Sequence, residues 1–239
     1  MQNPNGPYPG RQIFIGKTPE GNPAFAYVVT GRSPASRERK ATTKDNSIIM
    51  GPIDNTPYDP LRHYTAVLND NNIGLLTVTN GIQTNAIYET YKLLYHTDSE
   101  LSKDYLRTIM TGAKFEPDSL HTPRIAGLIM NSADGKPVYL LGIITDDPPA
   151  SIFEINPDAG TLTGISTYNG NLENPEKFDT SKPLPVIELT ANTPEKIAEY
   201  IYSISEASNN GEDIRVCAVG GVLADDKKTW NMHTINRHK

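Results

Sequence analysis

Arg124-Ile125-Ala126-Gly127-Leu128-Ile129-Met130 and Val138-Tyr139-Leu140-Leu141-Gly142-Ile143-Ile144 are the two most apolar runs of the chain, joined by Asn131-Ser132-Ala133-Asp134-Gly135-Lys136-Pro137. The joining segment is made of turn-formers and carries an Asp-Gly pair, so the three pieces predict a β-hairpin. A strand with one wet face alternates apolar and polar side chains, and neither run does. Both faces of the hairpin are therefore predicted to be covered, which a single sheet with a solvated side cannot provide. Just before the hairpin stand Glu116, Asp118, His121 and Arg124, with Pro117 and Pro123 stiffening the approach. Titratable side chains held at the mouth of a buried sheet mark this end as the place to look for chemistry.

Composition bounds what that chemistry can be. A chain of 239 residues can bury a substantial core. Its net charge of −6 argues against a nucleic-acid surface, which needs clustered Lys and Arg. Anionic small molecules remain open, because a few local arginines suffice for them. The single cysteine, Cys217, lies in the apolar run Ile214 to Leu223 and reads as a small buried hydrophobe rather than a nucleophile. His63, His96, His121, His233 and His238 are scattered without metal-ligand spacing, and no Gly-rich phosphate loop is present. Met1 to Gly10 lacks the apolar centre of a signal peptide, and no apolar run is long enough to span a bilayer. These features predict a soluble, cytoplasmic protein without membrane or nucleic-acid partners.

Outward from the central hairpin, Gln12 to Lys17 and Pro23 to Gly31 predict a second hairpin across Thr18-Pro19-Glu20-Gly21-Asn22. It ends in Gly31-Arg32-Ser33-Pro34-Ala35-Ser36-Arg37-Glu38-Arg39-Lys40, which taken alone reads as a solvated loop. Arginine forks beside serine hydroxyls also suit a phosphate or carboxylate. Ser47 to Met50 is a short predicted strand, and His63 to Leu68 with Ile73 to Thr79 form a third strand pair, ending in Asn80-Gly81. From Gln83 to Tyr95 the period changes to helical, with Ala86, Ile87, Thr90, Leu93 and Leu94 on one stripe. Glu100 to Gly112 predicts a second helix, opened by the capping-box spacing Thr97-Asp98-Ser99-Glu100. Strands are predicted at Ser151 to Ile155 and Thr161 to Tyr168, then a polar loop from Asn169 to Leu184. Thr193-Pro194-Glu195 signals a last helix with Ile197, Ile201 and Ile204 on its stripe. Ile214 to Leu223 and Thr229 to Ile235 close the chain as strands. No repeat or linker divides it, so one domain over residues 1–239 is expected. Many antiparallel strands covered on both sides, with helices inserted among them, predict an α+β fold of two stacked sheets with helices outside.

Several motifs recur together in a set order: Tyr8-Pro9-Gly10-Arg11, Gly31-Arg32-Ser33 with Ser36-Arg37, Asp59-Pro60 before Tyr64, Thr79-Asn80-Gly81, Leu120-His121-Thr122-Pro123-Arg124-Ile125-Ala126 and Ile165-Ser166-Thr167-Tyr168. In that order they resemble the archaeal-type IMP cyclohydrolase family, from Tyr8 to the closing Trp230-Asn231-Met232. The resemblance implies a four-layer αββα sandwich of two mainly antiparallel sheets flanked by helices, like the N-terminal-nucleophile (NTN) hydrolases. It also implies that no self-processed nucleophile is used, so the chain is expected to stay full length. The implied reaction, the last step of de novo purine biosynthesis, closes 5-formamidoimidazole-4-carboxamide ribonucleotide (FAICAR) to inosine monophosphate (IMP) with release of water. It calls for no metal and no organic cofactor, and its partner is a small purine nucleotide. The oligomeric state, a homo-oligomer included, is left open.

By position, Tyr64 and Glu116 match the family's catalytic pair, Arg32 and Arg37 its nucleotide-contacting arginines, and Asn80 a polar group near the base. Ser33, Arg11 and Arg124 are further substrate-binding candidates. Each has a plainer role available: a strand tyrosine is often core, Glu116 could cap a turn, Arg124 could pair with Glu116 or Asp118, and Asn80 could serve the turn before Gly81. Two other functions stay open at this point, a non-catalytic purine-nucleotide-binding protein and an amide hydrolase of the related fold. The chain departs from archaeal members in a longer segment before Tyr8, an expanded loop around Ala133 to Pro137, and an insertion near Asn169 to Pro185.

Overall fold

A computed structural model of the protein describes residues 8–54, 56–94, 99–132, 135–170 and 172–238. β1 (Arg11–Lys17) and β2 (Pro23–Thr30) form the first hairpin, followed by α1 (Pro34–Arg37), β3 (Arg39–Lys44) and β4 (Ser47–Pro52). β5 (Tyr64–Asp70) and β6 (Leu75–Thr79) lead into α2 (Gln83–Leu93) and α3 (Ser99–Ala113), and the central hairpin is β7 (Arg124–Asn131) with β8 (Pro137–Ile144). β9 (Ser151–Ile155) and β10 (Thr161–Ser166) precede a small ladder of β11 (Tyr168–Asn169) with β12 (Glu176–Lys177), then β13 (Val186–Glu188). After α4 (Pro194–Ile204) come the small ladder of β14 (Ser208–Asn209) with β15 (Glu212–Asp213), and finally β16 (Arg215–Leu223) and β17 (Trp230–Asn236).

Two large antiparallel sheets result. One has the order β13-β10-β1-β2-β16-β17, and the other runs in chain order from β3 to β9. The absence of apolar–polar alternation now has its cause. In β8, Tyr139, Leu141 and Ile143 enter a cluster shared with Ile13, Ile15, Phe25 and Tyr27 of the other sheet, while Val138, Leu140 and Ile144 enter a second cluster with Ile87, Leu106 and Met110 of the helices. In β2 the parity repeats: Phe25, Tyr27 and Val29 face the inter-sheet cluster, and Ala24, Ala26 and Val28 face Ile197 and Ile201 of α4. Each such aliphatic or aromatic side chain, fully buried, contributes about 1.5 to 3 kcal/mol. The sheets pack tightly at Gly127, where a Cβ would stand 2.7 Å from Ile13 Cγ2 of the other sheet.

α4 begins as predicted, with the Thr193 hydroxyl accepting from Lys196 N and Pro194 in the first turn. It lies so close to β16 that a Cβ on Gly220 would meet Pro194 O at 2.3 Å and Ala198 N at 2.6 Å. At one end of the sandwich the edge strands β3 and β17 touch. There the Asn236 amide takes both outward groups of Ala41, accepting from its N–H at 2.8 Å and donating to its carbonyl at 2.8 Å.

Three expectations need correction. The stretch from Gly31 to Lys40 is not a solvated loop: it contains α1 and the start of β3, with Arg37 and Arg39 buried. The face α2 turns inward is Gln83, Thr84, Ile87 and Tyr91 rather than the stripe through Ala86 and Leu93, and Leu93 is 85% exposed. The segment from Asn169 to Leu184 holds the β11–β12 ladder and leads into β13, which joins β10. The cap expected at Thr97 and Asp98, the Asp134 of the hairpin turn and the segment before Tyr8 lie outside the described residues. No helix among the described residues is long and apolar enough to cross a membrane.

Candidate active site

Glu116 sits in the connection from α3 to β7, which its own loop locks in place. Glu116 N donates to Thr122 O at 2.8 Å, and Asp118 accepts from the Thr122 amide at 2.8 Å and from its hydroxyl at 2.5 Å. His121 bridges this turn at φ +48, half-exposed, 3.7 Å from Asp146. The Glu116 carboxylate is 2% exposed, and three donors converge on its Oε1. Arg11 Nη2 is in direct contact, Asn80 Nδ2 lies at 3.3 Å and Arg124 Nη1 at 4.0 Å. Oε2 accepts from none of the described residues, and Glu116 lines a cavity of about 240 Å³.

Each neighbour of Glu116 is itself fixed. Asn80 uses its whole amide: Oδ1 accepts from Ile125 N at 2.8 Å and Gln83 Nε2 at 3.1 Å, and Nδ2 also donates to Pro123 O at 2.9 Å. It is completely buried and acts as a brace between the turn after β6 and the start of β7. A Cβ on Gly81 beside it would stand 2.1 Å from Arg124 Nη1, so a larger residue there would displace that guanidinium. Burial alone would lower the Arg11 pKa, but Glu116 and then the nearby phenols of Tyr64 and Tyr27 outweigh it, so Arg11 is held firmly protonated. Arg124 ends below its usual value, because burial and the charge of Arg11 together exceed the pull of Glu116.

Tyr64, at the start of β5, is brought to Arg11 but not directly to Glu116. Its hydroxyl is 2.8 Å from that of Tyr27, which is completely buried in β2. Burial, then the Tyr64 oxygen, pushes the Tyr27 pKa well up, so Tyr27 keeps its proton. Arg11 and Arg124 each sense both members of the expected pair.

The loop after β2 supplies the cavity's other wall. Ser33 caps α1 in a capping box with Ser36. Arg37 is committed inside this loop, donating to Gly31 O at 3.1 Å and Arg32 O at 3.0 Å and pairing with Glu212. It does not line the cavity; it shapes the loop that presents Arg32 and Ser33, which do. Arg32 Nη1 donates to Leu172 O at 3.1 Å and Glu173 O at 3.2 Å, tying the wall to the segment between β11 and β12. Tyr168, whose hydroxyl bonds Thr122, forms another side, and burial pushes its pKa up to about 12.

Of the expected site residues, Arg11, Arg32, Ser33 and Glu116 thus line one cavity, while Tyr64, Arg37, Asn80 and Arg124 stand behind it. Sequence reasoning passed over Arg39, Arg62 and Tyr168 as lining residues. The signal for Arg39 was the period-2 pattern of Arg39-Lys40-Ala41, whose first and third residues are buried. Among the described residues no group of three or more His, Cys, Asp and Glu side chains could hold a metal ion.

The chain is similar to known proteins over most of its length. Residues 8–227 match the profile described as IMP cyclohydrolase-like protein. An IMP cyclohydrolase of Methanocaldococcus jannaschii is 31% identical over 224 residues, covering 92% of this chain and 96% of that protein. Those of Methanocella arvoryzae and Methanosphaera stadtmanae are 28% and 26% identical, covering 92% and 96% of this chain and 94% and 99% of the relatives. With the match running from the first cavity residue almost to the last strand, the chain belongs to the IMP cyclohydrolase-like protein family.

Proposed function

We propose that the protein is an IMP cyclohydrolase that closes FAICAR to IMP with loss of water, the last step of de novo purine biosynthesis. The observation that carries the chemistry is the Glu116 carboxylate, saturated by donors on Oε1 and open on Oε2 at the wall of a cavity that also carries Arg32 and Ser33. Ring closure requires the carboxamide nitrogen to attack the formyl carbon, with a proton leaving the nitrogen, charge growing on the formyl oxygen, and water departing. Oε2 of Glu116 is placed to exchange a proton with the reacting groups. Arg11, permanently charged and held by Glu116, offers a fixed positive charge to the formyl oxygen. Tyr64, hydrogen-bonded to the buried Tyr27 hydroxyl, is the second proton-transfer group. The ribose phosphate lies toward Arg32 and Ser33, so that both reacting groups are held in attacking geometry.

We further propose the four-layer αββα arrangement of the NTN-hydrolase type for residues 1–239 as one unit. Its support is the helix-side apolar cluster outside each sheet and the shared cluster between them. A thiol hydrolase is disfavoured, because Cys217 is buried and its pKa is pushed up to about 12. A cytoplasmic location follows from the biosynthetic role.

Mixing the purified protein with FAICAR and following IMP by absorbance tests the function. Catalysed IMP formation is expected, and IMP binding without turnover would replace the enzyme by a nucleotide-binding protein. Within this reading Arg32→Ala is expected to weaken IMP binding about tenfold or more, as a forked donor to a charged group contributes roughly 1.5 to 3 kcal/mol. Unchanged affinity by calorimetry would remove Arg32 from the nucleotide site.

A further inference from the structure

Arg39 is the anomaly among the buried cations. It opens β3, is 2% exposed, and lines the cavity beside Arg32 and Ser33. Arg11 has Glu116, Arg37 has Glu212, Arg124 has Glu116 at 4.0 Å, and the partly exposed Arg62 has Asp59 at 2.7 Å. Among the described residues Arg39 has no carboxylate within ion-pair distance. Its Nη1 donates to Arg62 O at 3.3 Å, and its Nε is buried without a partner.

The surroundings do not neutralise that charge. His63 is held below its usual pKa by burial and then by Arg39 itself, and its Nδ1 accepts from Asp59 N at 2.9 Å, so it stands neutral nearby. Asp59 is turned to Arg62 and to Leu61 N. A buried cation without a counter-ion carries a desolvation penalty that nothing offsets. A fold that keeps one at a cavity wall has reserved it for an anion that arrives from outside. Ser33 completes the receptor: its oxygen already accepts from Ser36 N, which leaves the hydroxyl hydrogen free to donate.

We propose that Arg39 is the deep phosphate ligand of the cavity, gripping the monoester of the bound purine nucleotide together with Arg32 and Ser33. The assignment rests on the cavity being the nucleotide site, as proposed above. It separates Arg39 from Arg37, which lies in the same charged run but is consumed by main-chain carbonyls and Glu212.

The test compares IMP with inosine, which lacks only the phosphate, on the wild-type protein, Arg39→Met and Arg39→Lys. Wild type is expected to prefer IMP. Arg39→Met should lower IMP affinity by about 10- to 100-fold, the scale of a lost charged hydrogen-bonding fork, and leave inosine affinity unchanged. Arg39→Lys should fall between them. Relieving an unpaired buried cation should also raise the thermal midpoint of ligand-free Arg39→Met, by about 2 °C or more. A structural role for Arg39 predicts the reverse, a lowered midpoint with IMP and inosine weakened together, and that result overturns the proposal. So does an unchanged IMP preference in Arg39→Met. A wild type indifferent to the phosphate overturns both this assignment and the nucleotide reading beneath it.

Discussion

Glu116→Gln and Tyr64→Phe are each expected to lower turnover of FAICAR by about 10²- to 10⁴-fold, the usual contribution of a positioned acid or base, while IMP affinity changes little. Glutamine keeps a carbonyl oxygen for Arg11 and Asn80 but has no carboxylate to take a proton, so shape is retained and proton transfer lost. Phenylalanine at 64 keeps the ring in the inter-sheet cluster and removes the hydroxyl alone. That removal strands the Tyr27 hydroxyl, which is completely buried and bonds Tyr64, at a cost of about 1 to 3 kcal/mol. A second substitution separates the two effects. Adding Tyr27→Phe to Tyr64→Phe takes away both partners, which is close to neutral for stability, so the double variant should regain stability and stay inactive. Turnover by Tyr64→Phe at the wild-type rate would remove Tyr64 from the mechanism.

A large loss of stability from one small change is expected at Gly220. Valine there places its Cβ against Pro194 O and Ala198 N, which are helix backbone and cannot swing aside as a side-chain tip can. α4 must be pushed off β16, opening the cluster of Ile197, Ile201, Ala218 and Val222. Overpacking of this kind costs about 1 to 3 kcal/mol, and each kcal/mol lowers the thermal midpoint of a chain this size by about 2 to 4 °C. Gly51→Ala is the control, because a Cβ there meets nothing within 4 Å. Equal midpoints for the two variants would show that α4 is not seated as described.

The contrast between what the chain discloses and what it conceals follows from where stabilisation comes from. β7 and β8 were legible because both of their faces bury apolar side chains, a pattern no solvated element imitates. α4 was legible because its cap and stripe are local. β3 was not, since Arg39-Lys40-Ala41-Thr42-Thr43-Lys44 is held by pairing with β4 and its buried arginine faces a cavity rather than a core. The inward face of α2 was misjudged for a related reason. Gln83 and Thr84 are buried there because their side chains bond Ile125 O and Thr65 O, and no hydropathy pattern encodes such long-range partners. At the site, family motifs pointed to Glu116, Arg11 and Arg32. What they could not show is which cation of a charged run is already satisfied, and that separates Arg37 from Arg39.

The Asn236 amide that occupies both outward groups of Ala41 bears on how the newborn chain must be handled. An open strand edge is a template for any passing strand, and here the guard stands 195 residues after the position it guards. During synthesis β3 leaves the ribosome long before β17 exists. Throughout that interval the first edge of the seven-stranded sheet is bare, so the growing chain is most prone to mispairing with its neighbours on a polysome until β17 has been made.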